Sequence, residues 1–390
     1  MSLTSSGRVP HQPWAVRQRA VTGAPIAVLI LLGVIAAVAL LLEGAEHPVG
    51  LVVAVPLSAA AMAVVLSGYF WLDRWEPEPA RLLLLAFLWG ASVAIAASLV
   101  LELATSAVLG TGLVLTLAGP AIEEAAKGAL LVVMLTGSRR QEFDGVVDGL
   151  VYAGFTAVGF AFVEDIGYIA QSFGQGTETT VTTVVLRLVL APFAHPLFTS
   201  MIGLGVGLAV SRPNSPSRRM YPVAGYLAAV ALHAVWNSSL LFGLAGYLAV
   251  YLLIMVPAFG GAILLARHHR RRERDVVNRQ LPAMVHYRWI TPAEAGWLGS
   301  LAARQLWLRG GRQRSGRAGA RALRTFQQAA TELAFLRDRV ERGVGPADAY
   351  QLHTELVQAL LFNRQLAQRP LVENPRSAGL IHPAPPTGRS

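Results

Sequence analysis

The chain predicts an all-α fold: a polytopic transmembrane helical bundle of about eight spans with a small cytoplasmic helical C-terminal region. Three observations carry that expectation. Of its 390 residues, 54% are hydrophobic and 14% charged, with a mean hydropathy of +0.48, which is not the composition of a soluble domain. Apolar runs near the roughly 20 residues needed to cross a hydrocarbon core recur up to about residue 266 and then stop. Basic residues fall on alternate connections between those runs, as the positive-inside rule requires of a membrane protein.

Length and charge breaks place the spans near 25 to 42, 50 to 72, 82 to 103, 113 to 136, 147 to 171, 181 to 210, 221 to 243 and 245 to 266. The first, Pro25 to Leu42, follows Arg8, Arg17 and Arg19 and has no small-residue cleavage site after it, so it is expected to stay as an anchor. The sixth is long enough to be tilted or broken at Pro192 or Pro196. Arg139 and Arg140 follow the fourth span, Arg212, Arg218 and Arg219 the sixth, and Arg267 to Arg272 the eighth. Both termini are then expected on the cytoplasmic side of a plasma membrane. The domain plan is a cytoplasmic arm over 1–24, a membrane domain over 25–266, a basic helical domain over 267–368 and a disordered tail over 369–390.

There is no cysteine, which excludes disulfides, thiolate metal sites and a cysteine nucleophile. The net charge of +10 resides in the N-terminal arm, short loops and tail, where topology already accounts for it. The informative residues are therefore the few ionisable ones inside apolar runs. Each costs about 2.5–3.5 kcal/mol near a bilayer centre on insertion scales, so several together point to function.

The fourth span holds Glu123-Glu124-Ala125-Ala126-Lys127. Lys127 shares a helical face with the acids three and four residues before it, so a salt bridge accounts for one of them. The second Glu, turned about 100° around the helix, is expected to need another partner or a proton, as a general base would. Glu164 lies in a run of Ala, Val, Phe and Gly in the fifth span; Asp165 beside it fits a solvated helix end equally well. His195 stands between two prolines, where a helix loses backbone hydrogen bonds and can open toward a polar cavity, or where an imidazole merely steadies a kink. His233 and Asn237, four residues apart, share one face of the seventh span. At 1.5 Å per residue these groups fall in one slab, roughly 10–21 Å from the outer ends of their spans.

Carboxylates, imidazoles and an amide without a thiol are the ingredients for activating water against a carbonyl. Two arrangements remain open. In one, Glu123 or Glu124 with Glu164 deprotonates water while His233 and Asn237 donate to the oxyanion. In the other, His195, His233 and a carboxylate, from among Glu124 and Glu164, hold a divalent metal such as Zn2+ that acidifies the water.

Five motifs in order carry a family resemblance: Asp73-Arg74-Trp75-Glu76-Pro77-Glu78-Pro79, the Glu-Glu-x-x-Lys at 123 to 127, Phe143-Asp144-Gly145 leading into Gly154 to Glu164, His195, and His233-x-x-x-Asn237. Over roughly residues 50 to 243 the chain resembles the PrsW-type intramembrane proteases, whose motif layout is similar to that of the CAAX prenyl protease and bacteriocin-immunity membrane proteins. The resemblance implies peptide-bond hydrolysis in a membrane-anchored protein, an anti-sigma factor being the best-known substrate. It implies Glu123, Glu124, Glu164 and His233 as catalytic positions with His195 close by. The family often has Asp where Asn237 stands and Asn where Asp165 stands, and a neutral amide at 237 is a weaker metal ligand and a better oxyanion donor.

Two other functions use the same residues: a proton-coupled transporter, with the buried Glu and His as relays, and an inactive protease-like scaffold. The inverted repeat expected of many transporters is not visible in the sequence. Beyond Arg267, amphipathic helices are expected over Thr291 to Leu308, Ala322 to Arg342 and Pro346 to Ala367, with a Gly/Arg-rich linker through Ala320 and the last two helices pairing as a hairpin. The arginines there suit anionic lipid. No aromatic platform accompanies them, which argues against nucleic acid.

Overall fold

The computed structural model describes residues 31–33, 35–36, 46–136 and 143–368. Most of the first expected span, the arm before it, Arg139, Arg140 and the tail after 368 lie outside the described residues. Everything regular among them is helical, because a chain in hydrocarbon must satisfy its backbone within each segment.

The membrane bundle comprises α1 (Pro48–Leu72), α2 (Ala80–Leu109), α3 (Gly119–Met134), α4 (Val146–Phe173), α5 (Thr177–Val184), α6 (Ala194–Ser211), α7 (Met220–Ser239), α8 (Gly243–Val250) and α9 (Val256–His286). By length and composition five runs could cross a membrane: Pro48–Leu72, Ala80–Leu109, Val146–Phe173, Thr177–Ser211 and Met220–His286. The segment ending in α3, which holds Glu123, Glu124 and Lys127, is not among these five. The last run is interrupted by a 3-10 turn at Leu240–Phe242 and by Gly243 at φ +63°, and Trp236 packs on Tyr247 and Tyr251 across the interruption.

α4 is the axis of the bundle: 89% of its central window is buried, and α1, α2, α3 and α6 pack around it. Small residues permit this. A Cβ on Gly159 would collide with the Phe87 carbonyl, one on Gly90 with the Thr156 carbonyl, and Gly149 and Gly203 face each other in the same way. Backbones that approach so closely gain dispersion contacts, which drive helix association where lipid removes the hydrophobic term.

Local π-helical turns widen four helices, at Trp89–Ala94 in α2, Val114–Ala118 before α3, Val185–Leu190 after α5 and Tyr251–Met255 after α8. Such turns frequently mark functional sites. The long sixth run breaks between Ala191 and Phe193, where Pro192 has no N–H to give, and α6 restarts at Ala194.

Two of the five motifs meet far along the chain from the acids of α3. Asp73 Oδ2 accepts the Glu78 N–H at 2.9 Å, Tyr152 donates its hydroxyl to Glu78, and Asp148 Oδ2 accepts the N–H groups of Asp144 and Gly145 at 2.7 and 2.9 Å. Phe143 stacks on Tyr152. These residues fasten the α1–α2 connection to the start of α4.

The second compact unit begins at Val276, part-way along α9, rather than at 267. It contains α10 (Pro292–Leu298), α11 (Leu301–Glu341) and α12 (Ala349–Gln368). The expected linker through Ala320 shrinks to a turn at Ser315 and Gly316 (φ +60°) that divides α11 into two helical arms, folded back so that Arg304 Nη1 donates to Thr331 Oγ1 and Trp307 meets Phe326 edge-on. The arginines of this stretch are good helix formers and lower the cost of its glycines. α11 and α12 form the expected hairpin, burying Leu323, Phe326, Leu333 and Leu336 on one helix and Leu356 and Leu360 on the other.

Burial pushes the Asp73 carboxyl up to about 8; the nearby Asp148 carboxylate adds to this, while the Glu78 N–H opposes it. An acid kept neutral by the fold costs nothing below about pH 4, where the unfolded chain is protonated too, and the cost grows as pH rises toward the folded value. Asp73→Asn should therefore raise the thermal unfolding midpoint more at pH 8 than at pH 5. An equal change at both pH values would contradict this.

Candidate active site within the helical bundle

Lys127 places its ammonium, fully buried, at the meeting point of three elements. Nζ donates to Glu123 Oε2 and Glu124 Oε1, each at 2.9 Å, lies 3.1 Å from His195 Nδ1, and sits 3.8 Å over the Phe160 ring. The expectation that one acid would be left over is corrected here. A lysine stem is long and its head has three donors, so it reaches both carboxyls although they point to different sides of α3.

Glu124 is fully buried and has no unmet demand. Thr199 Oγ1 donates to its Oε2 at 2.8 Å, and His233 Nδ1 lies 3.1 Å from Oε1. Phe198 stacks on the His233 ring at 4.7 Å, fixing its plane. The other nitrogen of His233, Nε2, is 3.9 Å from Glu123 Oε2.

His195 is the second residue of α6, directly after the helix break, so its ring is free to turn inward. Its Nε2 lies 2.6 Å from Glu164 Oε2, and its Nδ1 is 4.0 Å from Glu123 Oε2. Arg187, on the π-helical turn after α5, binds Glu164 through Nη2 at 2.7 Å and Asp165 through Nε at 2.6 Å, while its guanidinium covers the Tyr168 ring. Asp165, 3% exposed, is thus a buried partner of Arg187 and not a solvated helix end.

Asn237 is placed differently from its expected role. It lines the cavity, but its amide donates to the Leu115 carbonyl at 3.1 Å, a carbonyl on the π-helical turn before α3. The amide therefore braces the entry to α3, and among the described residues no hydrogen bond joins it to the acids.

A cavity of about 530 Å³ opens beside this cluster, with Glu123, Glu164, Asp165, Arg187, His195 and Asn237 on its wall. One group of His, Asp and Glu among the described residues is compact enough for a metal ion: Glu123, His195 and His233, with ligand atoms within 4.8 Å of one another. Two imidazoles and a carboxylate are a known donor set of catalytic zinc sites. Each imidazole also keeps a carboxylate on its far nitrogen, Glu164 behind His195 and Glu124 behind His233, which is how outer-shell groups fix the tautomer of a ligating histidine. The donor types fit a divalent ion, which would take over Glu123 Oε2 and His195 Nδ1 from the Lys127 ammonium that contacts them here.

The sequence singled out neither Arg187 nor Thr199. A lone arginine in an apolar run was the available signal for Arg187. Thr199, four residues after His195, gave none beyond sharing its helix face.

Comparison with known proteins accords with this geometry. Residues 78–262 match the model of the PrsW family intramembrane metalloproteases. The curated Protease PrsW of Geobacillus kaustophilus is 31% identical over 192 residues, 47% of this chain and 78% of that protein. The chain belongs to the PrsW family. A second Protease PrsW, from Clostridioides difficile, is 27% identical over 185 residues, 45% of this chain and 76% of the relative. The one from Oceanobacillus iheyensis is 30% identical over 149 residues, covering 38% and 63%. No solved structure matches significantly. PrsW membership makes the chain an intramembrane protease, and the matched region holds every acid and imidazole of the site.

Arg187→Met should strip Glu164 and Asp165 of their shared cation and destabilise the protein by about 1.5–3 kcal/mol for each charged hydrogen bond lost. Thermal unfolding in detergent checks this; an unchanged midpoint would show that the pairing contributes nothing to the fold.

Proposed function

We propose that Glu123, His195 and His233 hold a divalent cation, Zn2+ in the simplest case, and that Glu164 accepts the proton of the attacking water. The observation that carries this reading is the convergence of those three ligand atoms within 4.8 Å of one another, Glu123 and His195 on the cavity wall and His233 buried beside them, with a carboxylate behind each imidazole. Charge balance supports it. The acids paired with Lys127 and Arg187, namely Glu123, Glu124, Glu164 and Asp165, outweigh those two cations by two negative charges when ionised, which a single divalent ion neutralises. When bound, such an ion acidifies water and polarises a carbonyl.

The chain's own residues then divide the remaining work. Glu164 faces the cavity and is held in place by Arg187 and His195, so its carboxylate is aimed rather than mobile. Glu124 acts through His233, holding Nδ1 so that Nε2 points toward Glu123. Lys127 supplies a positive charge to both Glu123 and Glu124, which are largely withdrawn from solvent.

The substrate we propose is a membrane-anchored protein with one span, which unwinds locally to present a peptide bond to the cavity; an anti-sigma factor is the class that family membership suggests. Membrane proteomes of cells with the native protein and with Glu164→Gln should differ by a protein that keeps its external domain only in the variant. No such difference would remove this substrate class.

We further propose that both termini face the cytoplasm of a plasma membrane, as the basic connections favour. Protease added outside intact cells should then leave the region after Val276 uncut, and cleavage there would reverse the orientation. Arg309, Arg312, Arg314, Arg317, Arg321 and Arg324 are exposed on α11, with no acid between Glu294 and Glu332, and suit anionic lipid headgroups. Hydrogen exchange in α11 should be slower in anionic than in zwitterionic proteoliposomes; equal rates would exclude the contact.

The divided roles predict divided phenotypes. Glu164→Gln should abolish cleavage even at saturating metal, and should weaken metal affinity as well, because Glu164 also backs the His195 ring. His233→Ala should lose both cleavage and bound metal. Glu124→Gln should weaken metal affinity about 10- to 100-fold, as loss of an outer-shell partner does. Metal analysis of the purified variants beside cleavage assays reads all three, and a Glu124→Gln protein that binds metal normally would overturn the assignment of Glu124.

A further inference from the structure

Across the cavity, α2 supplies two polar groups that the reaction described above leaves unused. Ser98 is 3% exposed, lines the cavity, and its Oγ has no hydrogen-bond partner among the described residues. One helical turn later Glu102 lines the same cavity, and its Oε1 is likewise buried without a partner. Glu102 lines the same cavity as Glu123, Glu164 and His195, so this wall borders the catalytic cluster. Gly119 stands beside Oε1, where an added Cβ would lie 3.6 Å from that oxygen and supply no polar partner.

Buried polar atoms without partners are rare, because each forfeits its hydration with nothing in return. Two on one helix face, one turn apart and beside an active site, are kept at a cost to stability that a ligand can offset. A membrane-spanning substrate arrives with the complementary deficit. To expose a peptide bond it must unwind, and its freed N–H and C=O groups find no water in the bilayer core. The spacing agrees: residues i and i+4 of a helix are separated by about 6 Å along its axis, and alternate residues of an extended strand by about 6.6 Å.

We propose that Ser98 and Glu102 form a main-chain docking strip for the extended, unwound segment of the substrate, Glu102 accepting a backbone N–H and Ser98 pairing with a neighbouring backbone group. The ligand class is an extended peptide read through its backbone, so the strip selects for unwinding and not for a side chain. Both are substrate-binding residues that take no part in proton transfer. The inference rests on the peptidase reading of the same cavity.

The test uses the full chain in proteoliposomes on the Glu164→Gln background, with a dye on Gln175→Cys, an exposed position in a chain that has no other cysteine. The probe is an acceptor-labelled single-span Leu/Ala peptide carrying a central Gly-Ser-Gly break, compared with an unbroken Leu/Ala peptide and with one whose break contains Lys. Energy transfer should show tighter binding of the broken peptide. Adding Ser98→Ala and Glu102→Leu should weaken that binding about tenfold or more, as loss of a charged hydrogen bond does, while leaving the unbroken peptide unaffected. Thermal stability should stay level or rise, because the change removes buried atoms that had no partner.

Unchanged affinity for the broken peptide would overturn the proposal. So would dependence on Glu102 confined to the Lys peptide, which would mean recognition of a cation. A loss of thermal stability together with weaker binding of every peptide would assign these residues a structural role and overturn it too. Cleavage of the broken peptide by the protein with native Glu164 reports separately on the peptidase reading: binding that follows the strip without cleavage contradicts only that reading, and cleavage indifferent to the strip contradicts only this one.

Discussion

The buried ammonium of Lys127 is the constraint on which the site depends. It touches two carboxylates of its own helix and an imidazole of α6, and it rests on a phenyl ring of α4. Removing one partner from a buried charge set is far more costly than replacing the whole set, because what remains is charged and unhydrated. Lys127, Glu123, Glu124 and His195 therefore constrain one another, and through His233 and Thr199 they also constrain how α6 and α7 pack on α3.

Backbone geometry supplies the space for that set. α4 can lie at the centre of the bundle only because glycines let α2 and α6 approach its backbone, and Glu164 is carried into the interior on the same helix. The break at Pro192 frees the start of α6, which allows the His195 ring to face Glu164 and Lys127 together. The π-helical turns put Arg187 against two acids and expose the Leu115 carbonyl to Asn237. Irregular helix geometry and function coincide in this molecule, as they do wherever backbone irregularity is tolerated at membrane depth.

Much of this was legible in the residues themselves. The cost of an ionisable group in lipid made Glu123, Glu124, Glu164, His195 and His233 conspicuous, and helical rise put them at one depth. What periodicity does not encode is the direction in which a long side chain bends, so the reach of Lys127 to both acids was hidden. Nor does it encode which backbone carbonyl is left open, so Asn237 was expected to donate to an oxyanion when a π-helical turn claims its amide. Arg187 and Glu102 were each single charges in apolar runs, the same signal that exposed the others, but without a motif around them. In the second unit the Gly/Arg-rich stretch does hold a break, at Ser315 and Gly316, but helix closes in on it from both sides, because arginine is a good helix former.

The central claim is that Lys127, Glu123 and Glu124 are one mutually dependent charge set. The most direct measurement is thermal unfolding of Lys127→Met, of Glu123→Gln with Glu124→Gln, and of the triple variant, compared with the native protein. If its members depend on one another, the triple variant unfolds at a higher temperature than Lys127→Met, because neutralising the acids relieves the charges that the missing ammonium left unpaired. Losses that simply add in the triple variant would contradict it.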